Sequence, residues 1–140
     1  MTTRAKLILV LTAIILIVLI VIFGSKPYPE ITPEENTKLE VIRRRAYNDA
    51  VECSNTKQPK LKYEDIYWVV IPSSKLRVQA VDGSIDLAGF FNPTDSAIYL
   101  PYPSRNKRWI LVHESLHAIG YLGHPDFPFR QPCGVMSDQN

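Results

Sequence analysis

Read for its apolar positions, the chain divides near residue 25. Residues 7 to 23, LILVLTAIILIVLIVIF, form an apolar run broken only by Thr12 and Ala13, with no charge, Pro or Gly. Seventeen residues are at the short end of what crosses a bilayer. Arg4 and Lys6 precede the run, which sets the N-terminus on the cytoplasmic side. A removable signal peptide would have a shorter apolar region and small residues at the cut site, which Ile22-Phe23-Gly24 does not supply. An uncleaved anchor is therefore the expectation, and either alternative exports the rest of the chain.

Beyond a short Pro-punctuated linker the pattern becomes periodic. Thr32-Pro33-Glu34-Glu35 is a helix start, with a hydroxyl N-cap, Pro at the first helical position and acids in the first turn. Leu39, Ile42, Ala46, Ala50 and Cys53 follow at spacings of three and four, which predicts one buried stripe. Arg43, Arg44 and Arg45 point about 100° apart on such a helix, so they are expected on a solvated face and not as one binding surface. A polar loop with Pro59 leads to DIYWVVI, residues 65 to 71, an aromatic and β-branched strand stopped by Pro72. LRVQAV, residues 76 to 81, alternates as a second strand, and Asp82-Gly83 marks a turn. Residues 87 to 91 and 97 to 100 are expected as two strands joined through Asn92-Pro93-Thr94-Asp95. Trp109, Val112, Leu116 and Ile119 then form the stripe of a second helix. The expected class is α+β: an N-terminal membrane helix, then a small mixed sheet packed on a backing helix and a site-bearing helix. Residues 1–25 are the cytoplasmic tip and anchor, 26–31 the linker, and 32–140 one domain.

Charge narrows the partners. Without Arg4 and Lys6 the exported part carries 14 basic and 14 acidic residues. A nucleic-acid footprint needs a basic patch, and none is present. A domain of this size is only marginally self-sufficient. A disulfide between Cys53 and Cys133 would clip it in an oxidising compartment, with two unpaired thiols as the alternative.

The chemistry concentrates in HESLHAIGYLGH, residues 113 to 124, which holds all three histidines of the chain. His113 and His117, four apart, share a helix face and can reach one Zn²⁺. Gly120 lets the chain leave the helix at positive φ and return with His124 as third ligand, Asp126 being the substitute. Three protein ligands leave a fourth position for water, the pattern of a catalytic zinc. Glu114 would accept the proton of that water and pass it to the leaving amine. Phe127 and Phe129 are expected in core packing, with a specificity pocket as their alternative use.

Residues 113 to 136 resemble the metzincin zinc peptidases, whose signature HExxHxxGxxH precedes a methionine turn. His113, Glu114, His117 and Gly120 match position for position, and Met136 is similar to the methionine beneath the metal. The resemblance implies His113, His117 and His124 as ligands, Glu114 as general base and Met136 as a structural floor. It also implies that the 87–100 hairpin borders the cleft and pairs with extended substrate. His124 stands four residues after Gly120, where the family has three, and the family's C-terminal helix has no counterpart in the four residues after Met136. The expected function is a membrane-anchored, extracytoplasmic zinc endopeptidase acting on proteins or peptides. A non-catalytic zinc-stabilised partner-binding domain and a zinc amidase on cell-wall peptides are the competing readings.

Overall fold

The computed structural model describes residues 28–80, 83–124 and 126–135. The anchor at residues 7 to 23, Met136 and the Asp126 side chain lie outside them. Among the described residues no helix is long and apolar enough to cross a membrane. Helix α1, Pro33–Cys53, begins as the sequence predicts: Thr32 is its N-cap and its hydroxyl accepts from Glu35 N–H at 3.1 Å. Strands β1 (Tyr67–Ile71), β2 (Leu76–Ala80), β3 (Gly83–Leu87), β4 (Phe90–Asn92) and β5 (Ala97–Pro101) follow, then helix α2, Arg108–Ile119. A kinked turn, Asp126–Phe129, follows α2, with Phe127 in extended conformation.

The strands form a mixed three-stranded sheet in the order β1-β5-β4 and a separate β2-β3 hairpin. β1 runs parallel to β5, with Tyr67 opposite Ala97, and β4 runs antiparallel to it, with Phe91 opposite Ile98. A parallel pair needs a crossover, and the intervening hairpin and β4 supply it. Central β5 is nearly all buried, as a strand covered on both faces must be. α1 packs along α2, and α2 touches β4. α2 is the centre of the core: Ile110, Leu111, Val112, Leu116, Ala118 and Ile119 are all buried. A helix apolar on so many sides belongs inside.

Several expectations need correction. Ile42 is over a third exposed, and Arg43 takes its place on the buried stripe at 4 % exposure, not on a solvated face. Trp109 is 45 % exposed, and the stripe of α2 begins instead at Ile110. The strand expected over 87 to 91 is broken: Leu87 closes β3 and Phe90 opens β4. Gly89 explains the break, since a Cβ there would stand 2.9 Å from both Glu114 Oε1 and Ile110 Cγ2. The chain passes too close to α2 to remain a regular strand. β3 itself, GSIDL, is poor in strand formers and is held by its partner: Arg77 stands opposite Asp86 and bonds it at 3.1 Å, with Lys75 on the other oxygen at 2.8 Å.

Cys53 and Cys133 form a disulfide with their Cα atoms 5.2 Å apart and a sequence separation of 80. Closing a loop of that length stabilises by on the order of 4 kcal/mol through the unfolded state. It also ties the segment after the last histidine to the end of α1.

Candidate metal centre

Two glycines bring the third histidine back to the helix. Gly120 caps α2 at φ 126°, donating to the carbonyl of His117 at 3.1 Å, while Tyr121 N–H reaches Leu116 O at 3.0 Å. The loop after α1 meets the same terminus, with Lys60 N–H on Ile119 O at 3.0 Å. Gly123, at φ 80°, then turns the chain a second time. This second turn accommodates the extra residue between Gly120 and His124, a role the sequence reading had not given to Gly123.

The three imidazoles converge. His124 Nε2 lies 3.0 Å from His113 Nε2 and 3.2 Å from His117 Nε2. Two nitrogens on one tetrahedral Zn²⁺ at ~2.0–2.1 Å would stand about 3.3–3.4 Å apart, so the spacing fits a shared ion. The other ring nitrogens fix the tautomers. His113 Nδ1 donates to the Val135 carbonyl at 3.3 Å, and His117 Nδ1 to the Tyr121 carbonyl at 2.7 Å. A carbonyl only accepts, so both Nδ1 atoms carry the hydrogen and both Nε2 lone pairs face His124. Lone pairs at such separation repel unless a proton or a cation lies between them.

Electrostatics act in the same direction. Burial, followed by the neighbouring His117 and His124, pushes His113 down to about 4, and burial also lowers His117. Both rings are therefore neutral at pH 7, the form that binds metal. Beneath them Phe129 is fully buried, with ring centroids 4.9, 5.0 and 5.4 Å from His113, His117 and His124. It forms an apolar floor beneath the rings while packed in the core, the use expected of it. Phe127 is more than half exposed and meets Tyr121 edge-on.

Glu114, one residue on from His113, is 5 % exposed. Desolvation pushes its carboxyl up to about 8 against the opposing hydrogen bond from Phe91 N–H. Cys133 is committed to its disulfide, which removes it as a ligand. Among the described residues the groups placed to hold a metal ion are His113, His117 and His124. The Val135 carbonyl had no local signal in the sequence: it is brought to His113 by the fold, 22 residues away.

The fold and site together define a small α+β domain with a three-histidine centre able to hold a metal ion. No protein-family model, no curated protein and no solved structure matches this chain.

Proposed function

We propose that this domain is a zinc-dependent endopeptidase of metzincin-like construction, held outside the cytoplasm by its N-terminal apolar segment. The observation that carries the reading is three convergent imidazoles that lack a fourth protein ligand among the described residues, with a buried carboxyl on Glu114, the residue next to His113 in the helix. A structural zinc is closed by four protein ligands, whereas a catalytic one keeps a position open. The disulfide is in keeping with an oxidising compartment.

His113, His117 and His124 would hold Zn²⁺, which when bound polarises a carbonyl and acidifies water. The Val135 and Tyr121 carbonyls hold two of the rings in the tautomer that serves. Glu114 takes up and releases the proton, and its raised proton affinity suits both directions of transfer near neutral pH. β4 is an edge strand of its sheet and would take the backbone of an extended peptide by strand addition.

The test is cleavage of a diverse peptide library by the zinc-loaded full chain, read by mass spectrometry beside Glu114→Ala. The variant is expected to keep its zinc and cut about 10²–10⁴-fold more slowly. Unchanged cutting by Glu114→Ala sinks the reading. Zinc binding with no cutting by either protein favours the partner-binding domain.

A further inference from the structure

A cavity of about 520 Å³ lies between the segment before α1, the first turns of α1, β1 and the turn after β5, and no histidine lines it. That volume is in the range of small-molecule sites. Arg43 forms part of its wall while only 4 % exposed. Its Nη1 reaches Asn36 Oδ1 at 3.4 Å, but its Nε is buried without a partner. Trp68, against which the guanidinium lies 5.7 Å from the ring centroid, has its indole Nε1 buried and unpartnered as well. Both orphans are donors, so what both lack is an acceptor.

The charge has no ion pair at contact distance: Glu40 attracts it through space but is bonded to Arg44. Arg44 pairs with Glu40 and Glu64, and Arg105 with Glu35, yet among the described residues no carboxylate lies within 4.0 Å of Arg43. Glu30 borders the cavity but is exposed to solvent, where water screens its charge. A guanidinium stays ionised even when buried, so a water molecule at this place would satisfy a hydrogen and still leave the charge without a contact counter-ion.

We propose that this cavity binds a carboxylate carried on an apolar body, its oxygens on Arg43 Nε–H and Trp68 Nε1–H and its apolar part against Val70, Pro72 and Tyr102. The planar guanidinium matches a carboxylate in geometry and charge. A phosphate would bring further oxygens and charge to a wall whose other polar side chains, Glu30 and Asn36, offer no second cation. Neither orphan nitrogen is open to solvent, so docking entails rotation of one of the two side chains, an ordinary change on binding.

The experiment uses the ¹⁵N-labelled full chain carrying Trp109→Phe, which leaves Trp68 as the only indole. Acetate and 3-phenylpropionate are titrated at constant ionic strength, with 3-phenylpropanamide as the uncharged control. Both acids are expected to shift the Trp68 Nε1–H and Arg43 Nε–H resonances downfield, the phenyl acid at lower concentration, and the amide to leave them in place. Arg43→Met should abolish the response. Trp68→Phe, which keeps the ring and loses the donor, should weaken phenylpropionate binding about tenfold, read on Arg43 Nε–H, in keeping with one lost hydrogen bond. Silence to both acids, an equal response to the amide, or a response that survives Arg43→Met overturns the proposal. Chelation of metal should not change any of these results, which separates them from the fate of the histidine site.

Discussion

Glu114 on α2 and Arg43 on α1 are buried to the same degree, and neither has an opposite charge within ion-pair distance among the described residues. The fold treats them differently because their chemistry differs. A carboxyl can shed its charge, and the Glu114 environment raises its pKa to about 8 with one backbone N–H as partner. A guanidinium cannot: burial lowers the Arg43 pKa, yet the group remains a cation at any pH the fold survives. It is left with an indole face, a long bond to Asn36, the through-space attraction of Glu40 and an unpaired Nε. Burial of Glu114 therefore yields a carboxyl whose proton is exchanged near neutral pH, and burial of Arg43 leaves a cation with an unpartnered Nε.

The largest effect that would sharpen this contrast lies in the metal-free protein. The folded-state pKa of Glu114 lies above its ordinary value of 4.5, so the fold favours the protonated acid. Its contribution to stability is intact below about pH 4.5 and is lost progressively as pH rises towards 8. At pH 7 the loss is at most about 3 kcal/mol. Glu114→Gln should remove that dependence, raising the Tm of the chelated protein at pH 7 and converging with the parent near pH 4. Equal pH profiles for the two proteins would mean that the carboxyl is solvated. A smaller effect is expected from Gly89→Ala, whose Cβ would press on the same carboxylate and on Ile110. Overpacking of this kind costs about 1–3 kcal/mol, and urea melts should show it together with slower peptide cleavage. Unaltered stability would place the Glu114 carboxylate away from Gly89.

The two residues were also unequally legible. Glu114 announced itself through spacing: His113, His117, Gly120 and His124 surround it in an order whose chemistry is local, and the fold delivers the convergence they imply. Arg43 was in plain view on the stripe, four residues after Leu39 and three before Ala46, but a charge there reads as solvated by type. Its burial involves Trp68, which is distant in sequence. Gly89 carried a signal, an isolated glycine inside an apparent strand, that close backbone approach explains. The floor of Phe129 and the Val135 carbonyl carried none, since both reach the histidines through the segment clipped by Cys53–Cys133. β3 was missed because cross-strand partners at Asp86, and not its own propensity, make it a strand.

The smallest and most discriminating effect is that of Arg43→Met. Truncation to Ala would remove the stem along with the charge and confuse a cavity with a lost cation. Methionine keeps much of the stem, removes the guanidinium, and abolishes the unpaired Nε together with the weak bond to Asn36. Replacing a buried charge by an apolar side chain of similar reach is neutral to stabilising where the charge is poorly paired, and strongly destabilising where it is well paired. The chain should therefore lose no more than about 1 kcal/mol in urea melts, and gain if the desolvation of Arg43 dominates. A loss of about 3 kcal/mol or more would show that the guanidinium is fully partnered in solution. Arg43 would then be a structural counterpart to Glu114 and not a receptor for an anion.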